Sequence, residues 1–314
     1  TTEIYTLSLH DALPISPFSF VGCDLFGPFQ VVNGRKTEKK YGAIFTCMAS
    51  RAVHIELLDD MSTDSFINCL RCFFALRGDV RQIRCDRGTN FVGADNELKK
   101  ALEEVGDTHL KSFLRQHHCD FVFNTPGSSH MGGAWERLIY TVRSVLSGIL
   151  MESHGRLDTN SARTVMYEAM AIVNSRPITP FIDQEIGPLT PNHLLHMKSG
   201  IVMPPPGQFD SSDIYCRKRW RRVQGLVESF WSRWRTHYLS NLQRRAKWRE
   251  QRRGLKVGDV VMLKEGTFRS DYQMARVVSE LPSKDGLVRR VVIKTGNSTL
   301  ERPISKLVLL LEAE

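Results

Sequence analysis

Short apolar runs separated by turn residues dominate the first sixty positions of this chain. Three segments rich in β-branched and aromatic residues are predicted to form strands of a small antiparallel meander, at residues 18–24, 41–48 and 53–57. Asn33-Gly34 is a favourable hairpin turn between the first two. Gly27-Pro28 follows closely on the first run, which predicts a turn shortly after Asp24.

After residue 62, the spacing at which apolar residues recur along the chain becomes longer. Residues 63–76 have the spacing of a helix, with Ser62 or Thr63 as N-cap and Asp64 near the positive helix end. A strand at 82–85, a helix at 96–104 and a strand at 119–123 follow. A long amphipathic helix then starts beyond Gly132-Gly133. Strands followed by alternating helices and strands predict an α/β fold, a mixed five-stranded sheet with flanking helices.

The C-terminal part has a different pattern. Seven prolines between residues 177 and 206 indicate a boundary region, and we place a Pro-rich connection at 181–212 after a core at 17–180. A helix is predicted at 213–250, and one of its faces is apolar. We expect this face to pack on protein rather than to stack on bases. Its residues are Trp220, Val223, Val227, Phe230, Trp234 and Tyr238. Residues 255–311 contain four short β segments, typical of a small barrel.

Positive charge is concentrated in that helical segment. Residues 217–253 contain thirteen Lys or Arg and two Glu, a local net charge of +11, whereas the whole chain carries +9. Such concentration predicts phosphate binding by a cationic face that is free to meet DNA. The candidates for DNA binding in this segment are Arg217, Lys218, Arg219, Arg221 and Arg222.

Three acidic residues occur where a rigid element meets a loop. Asp24 and Asp86 end short apolar runs, and Glu136 lies in the first turn of the long helix. Carboxylates at such places can converge on two divalent cations that clamp the attacking and leaving oxygens of a phosphoryl transfer. Any one of them alone could equally be an ordinary surface acid.

Cysteine usage and hydropathy narrow the class of protein. Seven cysteines form an odd set without a framework-like spacing, which fits a reducing, intracellular compartment. Cys69-x-x-Cys72 lies in a helical pattern and is expected to be core rather than a metal or redox pair. His117-His118-Cys119 lacks a second ligand pair at zinc spacing. No apolar run is long enough to suggest a membrane span.

The first sixteen residues do not continue these patterns. TLSLHDALPI, preceded by Tyr5, reads like the translation of a sequencing-library adapter, so we expect residues 1–16 to be an artefact outside the fold. A signal peptide is the alternative, but the stretch lacks a basic n-region and has His10 and Asp11 within its apolar part.

The motifs, taken together, resemble the integrase region of a BEL/Pao-type LTR retrotransposon Pol polyprotein, within the retroviral integrase superfamily. The resemblance covers about residues 17–311 and rests on VGCDLFGPF, RCDRGTNFVGADNELKKAL, SSHMGGAWERLI, VNSRPITP, LTPNHLL and LKVGDVVML, with the 39-residue stretch that starts at KYGAIFTC. It implies a ribonuclease-H-like core and an SH3-like C-terminal domain. It also implies that Asp24, Asp86 and Glu136 form a D-D-E metal triad.

Two features depart from the family pattern. Asp86 and Glu136 are 50 positions apart, more than in retroviral integrases, and Arg87 stands where many relatives have asparagine or serine. The family's zinc-binding domain would lie upstream of residue 1.

The resemblance further implies metal-dependent trimming of cDNA 3′ ends and their transfer into target DNA, with two Mg²⁺ or Mn²⁺ ions. DNA contacts are expected from the loop 124–133, from Arg143 two helical turns beyond Glu136, and from Arg137, Arg87 and His130, although His130 could be an ordinary loop histidine. The expected partners are element and target DNA and further copies of the chain, without a membrane or a small-molecule substrate. The expected location is a virus-like particle in the cytoplasm and the nucleus.

Two other classes stay open at this stage. The chain could be an inactive or domesticated integrase-derived DNA-binding protein, or a ribonuclease-H-like nuclease that cleaves without joining. The products formed on DNA would separate these: longer strands indicate transfer, shorter strands alone indicate cleavage, and none indicates binding.

Overall fold

A computed structural model shows two five-stranded sheets joined by helices. It describes residues 15–86, 88–103, 119–123, 133–153, 156–179, 188–197, 205–242, 254–266, 269–283, 285–296 and 298–313. Most of the adapter-like stretch, His117-His118 and the loop at 124–132 therefore lie outside the described residues.

The first sheet is mixed, as predicted. Its strands are β1 (Phe20–Asn33), β2 (Lys36–Cys47), β3 (Val53–Leu58), β4 (Gln82–Cys85) and β5 (Asp120–Phe123). Their order across the sheet is β3-β2-β1-β4-β5. The first three are antiparallel, whereas β4 runs parallel to β1 and β5 parallel to β4.

Helices cover both faces of this sheet. They are α1 (Thr63–Arg77), α2 (Thr89–Glu103), α3 (Gly133–Glu152), α4 (Thr159–Asn174), the short α5 (Pro191–His196) and α6 (Arg219–Leu242). One hydrophobic cluster joins the sheet to α1 and α2. A second cluster joins the other face to α3, α4 and α6. The sheet is thus buried on both sides, as its apolar strands require.

β1 is longer than the sequence pattern predicted. Instead of turning at Gly27-Pro28, the chain absorbs these residues in a bulge, where the pairing with β2 shifts between Phe26 and Phe29. The strand continues to Asn33, and the hairpin turn itself is Gly34-Arg35. The hairpin is confirmed, but the expected turn after Asp24 is wrong: Asp24 lies within the strand.

α1 and α2 differ in how well the sequence predicted them. Ser62 caps α1 as expected, because its side chain accepts a hydrogen bond from the backbone N–H of Ser65. α2 begins at Thr89 rather than at 96. Its Gly93 lies against α1, where a Cβ would collide with the Thr63 hydroxyl. Close helix packing therefore explains why this position of α2 is a glycine.

The predicted apolar face of α6 is confirmed as a packing face. Val223, Val227, Phe230 and Trp234 are buried in the cluster with α3 and α4, and Tyr238 packs at its edge. Trp220 is the exception, because it is 51% exposed and packs against Phe209. The helix begins at Arg219, after a 3-10 helix at Ser211–Tyr215, so its start at 213 was predicted too early. Residues 243–250 lie outside the described residues.

The second sheet is antiparallel throughout. Its strands are β6 (Val260–Leu263), β7 (Met274–Pro282), β8 (Val288–Lys294), β9 (Thr299–Pro303) and β10 (Leu307–Leu311), in the order β10-β6-β7-β8-β9. A 3-10 helix at Ile304–Lys306 divides the predicted last segment into two strands. The sheet has a small core of its own. Met262 and Val308 also pack against Leu239 of α6.

Cysteines and hydropathy agree in part with the predictions. Cys69 is buried, as expected for core packing, whereas Cys72 is exposed, and all seven cysteines are free thiols. Among the helices in the described ranges, none is both long and apolar enough to cross a membrane.

Candidate active site

Strand pairing brings Asp24 and Asp86 to neighbouring positions. β1 and β4 are parallel, with Gly22 opposite Arg84, so the same two-residue step along each strand leads to Asp24 and to Asp86. The residues just before them, Cys23 and Cys85, are buried in the cluster with α1 and α2. Because side chains alternate along a strand, the carboxylate of Asp24 points to the opposite face, where Arg143 of α3 contacts it. Asp86 follows directly after the end of β4.

The carboxylate of Asp24 is partly buried and already carries partners. Its Oδ2 accepts a hydrogen bond from Nη1 of Arg143 at 2.6 Å, and its Oδ1 accepts one from the Leu25 N–H at 2.9 Å. Burial raises the pKa of Asp24 above its usual value; Arg143 and Leu25 oppose this shift, and the nearby charge of Asp86 adds to it. The site therefore disfavours an uncompensated negative charge.

Asp86 is more open than Asp24. It is exposed, and its Oδ1 accepts a hydrogen bond from the backbone N–H of Gly88 at 3.0 Å. This bond orients the carboxylate and leaves its second oxygen available to a ligand. Arg87, expected to modify DNA contacts here, lies outside the described residues.

Glu136 is in the first turn of α3 and is partly exposed. Arg143 follows it by seven residues, about 10 Å further along the helix axis. Within the described ranges, no three His, Cys, Asp or Glu side chains are grouped closely enough to hold a metal ion. The structure thus brings together Asp24 and Asp86, and does not add Glu136 to them as a third ligand.

The donor set suits a hard divalent cation. Asp24 and Asp86 offer carboxylate oxygens only, which favour Mg²⁺ or Mn²⁺ over softer metals. The cationic group now at Asp24 is the guanidinium of Arg143, so a metal ion would compete with Arg143 for the same oxygen. Asp24 and Asp86 fit such an ion, whereas Glu136 would have to approach them.

The residues expected to bind DNA have varied surroundings. Arg143 contacts Asp24 and lies 6.0 Å from the ring of Tyr140, while Arg137 is exposed. His130 lies outside the described residues. Arg217 and Lys218 are exposed at the start of the basic segment.

The expectation of a free cationic face is wrong for part of α6. Arg219 pairs with Asp158 at 3.0 Å, and Arg221 donates from two nitrogens to Asp213. Arg222 donates to the backbone carbonyls of Arg156 and Cys216. The N-terminal end of α6 lies beside acidic residues and free carbonyls, so these arginines hold protein partners that the charge count could not reveal.

Sequence reasoning also missed an arginine-lined cavity beside α3. Arg51 and Arg176 line it together with Arg137, and its volume is about 290 Å³. The only sequence signal was the position of Arg176, between the end of a helix and Pro177.

Comparison with known protein families gives a match for the region that contains the first sheet. Residues 16–129 match the family model described as "Integrase core domain". This part of the chain, which includes all five strands of the first sheet, is similar to integrase core domains. This match supports the retroviral-type integrase superfamily and an integrase-type function in DNA integration, and it agrees with the ribonuclease-H-like fold. Residues 218–310, from α6 to β10, match a family of unknown function, DUF5641. No curated protein sequence matches the chain.

Solved integrase structures are similar to this chain at low identity. The HTLV-2 integrase catalytic core domain in complex with magnesium (trimeric form) is 14% identical, with a TM-score of 0.35, over 58% of this chain and 99% of that chain. The simian T-cell lymphotropic virus intasome in complex with PP2A regulatory subunit B56 gamma is 11% identical, with a TM-score of 0.37, over 95% and 80% of the two chains. At these values the similarity transfers no detail of a site.

Proposed function

We propose that the chain is the integrase of a BEL/Pao-type LTR retrotransposon, which trims the 3′ ends of the element's cDNA and joins them to target DNA. The observation that carries the proposal is the parallel pairing of β1 with β4, which places Asp24 of β1 near Asp86 directly after β4, in a region that matches an integrase core domain. Two carboxylates brought together in this way are suited to binding cations for phosphoryl transfer.

The proposed ligands are Asp24, Asp86 and Glu136. Asp24 and Asp86 would hold one Mg²⁺ or Mn²⁺, and Asp24 and Glu136 a second. When bound, the two ions activate a water or a 3′-hydroxyl and stabilise the departing 3′ oxygen. The Gly88 N–H holds Asp86 in place, and the Leu25 N–H does the same for Asp24.

Arg143 has two proposed roles, depending on what else is bound. Without a metal ion, its guanidinium compensates the charge of Asp24. Once a cation holds that oxygen, the guanidinium is released on the face where DNA must lie and can bind a phosphate. Arg137, Arg87, His130, Arg217 and Lys218 are proposed as further DNA contacts. Arg219, Arg221 and Arg222 would contribute by exchanging their protein partners for phosphates.

Assembly and location follow from the same proposal. Self-association and binding to DNA are part of the proposal, because end joining requires two DNA molecules to be held together. The site of action would be a virus-like particle in the cytoplasm and later the nucleus. The second sheet, proposed to be SH3-like, would organise DNA or neighbouring subunits.

A non-catalytic, DNA-binding descendant of an integrase is the second candidate. The ion pair between Arg143 and Asp24 favours it, because an arginine fixed on a metal ligand would block catalysis. Incubation with labelled DNA ends and Mg²⁺ separates the candidates. Longer strands support the integrase, shorter strands alone support a nuclease, and binding without any product supports the second candidate.

The test of the triad is the variant Glu136→Gln, assayed for strand transfer and for reversal of a joined product. Loss of a metal ligand removes several kcal/mol of transition-state stabilisation, so we expect activity to fall at least about a hundredfold. Glu152→Gln is the matched control, since Glu152 lies on the same helix and pairs with Arg233 at the surface. Undiminished activity of Glu136→Gln would remove Glu136 from the site.

A further inference from the structure

The arginine-lined cavity lies between the N-terminal part of α3 and the C-terminal end of α6. Its cationic lining is Arg51, Arg137 and Arg176, and its apolar wall includes Leu138, Ile178 and Tyr238. The lining residues within the described ranges include no Asp or Glu. A cavity of about 290 Å³ that is lined by three arginines and by no described carboxylate has an excess of positive charge.

Arg176 is the most deeply placed of the three. It is 7% exposed, and its guanidinium donates to two neutral acceptors, the carbonyl of Val173 at 2.8 Å and the carbonyl of Arg51 at 2.6 Å. Among the described residues, no carboxylate forms a salt bridge with it. Burial is the main cause that lowers the pKa of Arg176 to about 10; the positive charge of Arg51 contributes to this shift, and Tyr238 and Tyr272 oppose it. A buried, unpaired charge is costly unless a ligand supplies the counter-charge.

The backbone also holds Arg51 at the cavity. Arg51 has a φ of 58°, in the left-handed region that a non-glycine residue seldom adopts. Its carbonyl is one of the two acceptors for Arg176, so the turn between β2 and β3 is fixed to the end of α4. The two arginines are thereby held on the same cavity although they are far apart in the sequence.

We propose that this cavity is a binding site for the phosphate group of a nucleotide. Three guanidinium groups match a group with several acceptor oxygens and one to two negative charges better than a single carboxylate. The apolar wall, with the ring of Tyr238, can cover the sugar or base that follows the phosphate. The phosphate could belong to a DNA strand or to a free nucleotide.

The position of the cavity favours a strand as its source. Arg137 is the residue next to Glu136, so a strand that passes the acidic face would reach the cavity within one helical turn. This choice of source rests on the proposed function, whereas binding of phosphate itself does not require catalysis. Arg51 and Arg176 would then extend the DNA-binding surface beyond the residues predicted from the sequence.

The experiment measures binding to the full chain in EDTA, by calorimetry, with inorganic phosphate, deoxyadenosine monophosphate and a single-stranded oligonucleotide as probes. Sodium chloride at equal ionic strength corrects for general screening. We expect Arg137→Gln and Arg51→Asn each to weaken phosphate and nucleotide binding about tenfold, as for loss of a charge-assisted contact. Asparagine is chosen at 51 because it accepts the left-handed conformation. The matched control is Arg163→Gln, an exposed arginine on α4.

The possible outcomes decide whether the cavity binds phosphate and which ligand supplies it. Absence of phosphate binding, or equal weakening in Arg163→Gln, overturns the site, provided that circular dichroism shows folded variants. If the two cavity variants weaken phosphate and nucleotide binding but leave oligonucleotide binding unchanged, the site stands and its ligand is a free nucleotide. Asp86→Asn separates this inference from the proposed function, since it removes a proposed metal ligand and leaves the pair of Arg143 with Asp24 in place. It should abolish strand transfer while phosphate affinity in EDTA stays at the wild-type value.

Discussion

Two buried arginines at opposite ends of α6 are stabilised in different ways. Arg269, which precedes β7, has a side chain only 4% exposed and reaches Glu168 of α4 at 3.0 Å and Glu228 of α6 at 3.2 Å. It also donates to the side-chain oxygen of Gln224 at 2.7 Å. In the part of the chain that the structure describes, Arg176 instead donates to two backbone carbonyls.

This comparison distinguishes a buried charge that stabilises the fold from a buried charge that is available to bind a ligand. Around Arg269, the chain supplies both the cation and the anions, so the contact fixes the second sheet on α4 and α6. At Arg176, and at the acidic pair on the first sheet, the chain supplies an excess of one sign. Excess charge costs stability and is typical of sites that bind a charged ligand.

The largest expected effect follows from breaking the compensated interaction. Arg269→Leu leaves Glu168 and Glu228 without their shared partner; both are about one-third exposed, so water offsets part of the loss. We expect the free energy of unfolding to fall by about 2–3 kcal/mol. Thermal or urea unfolding measures the change, and hydrogen exchange in β7 should speed up as the second sheet loosens.

Arg290→Leu is the matched control for this prediction. Arg290 pairs with Glu301 at 2.6 Å, but both side chains are largely exposed, so we expect a loss below about 1 kcal/mol. Equal destabilisation by the two variants would contradict the distinction drawn between them.

Substitution of Arg143 is expected to have a smaller effect, which strengthens the binding of a metal ion and weakens the binding of DNA. Arg143→Gln removes the guanidinium that occupies an oxygen of Asp24, so Mg²⁺ or Mn²⁺ should bind about tenfold more tightly. DNA affinity should fall by a similar factor, because a phosphate contact is lost. Calorimetry measures the metal, and fluorescence anisotropy measures the DNA. A variant that binds both ligands more weakly would show that Arg143 orients Asp24 instead of competing with the metal.

The smallest expected effect is on the stability of Asp24→Asn. The pKa of Asp24 is raised in the folded protein, so the fold favours the protonated carboxyl. The folded state gains this stabilisation in full below pH 3.8, the ordinary pKa of the group in the unfolded chain. It is lost as pH rises through the folded pKa. Asparagine at this position does not ionise, so the variant does not lose stability in this way as the pH rises. Its melting temperature should exceed that of the wild type at pH 7, and the difference between the two melting temperatures should shrink towards pH 4. Parallel melting curves across this range would contradict the pKa shift.

Local signals explain the parts of the fold that the sequence predicted well. Ser62 caps α1 through a contact three residues away, and β4 spans the predicted residues 82–85 because its apolar run is bounded by breakers. The sequence also predicted that Asp24 and Asp86 come together, because both were expected at the ends of short apolar strands and to act with Glu136 as metal ligands.

Tertiary contacts explain the parts that were missed. The first part of α2 was missed, and it contains Gly93, a residue of low helix propensity whose packing contact is with Thr63 of α1. The partners of Arg269 are 101 and 41 residues distant, beyond the reach of any local pattern. Whether Glu136 joins Asp24 depends on how closely α3 approaches the sheet, and no spacing along the chain encodes that approach.

α6 has a practical consequence for work with shorter pieces of this protein. Its residues Phe230, Trp231 and Trp234 complete the hydrophobic cluster that covers one face of the first sheet. A recombinant fragment truncated near residue 180 would expose that cluster to solvent and would be prone to aggregate. Soluble expression of the acidic face should therefore require the polypeptide to extend at least through Leu242.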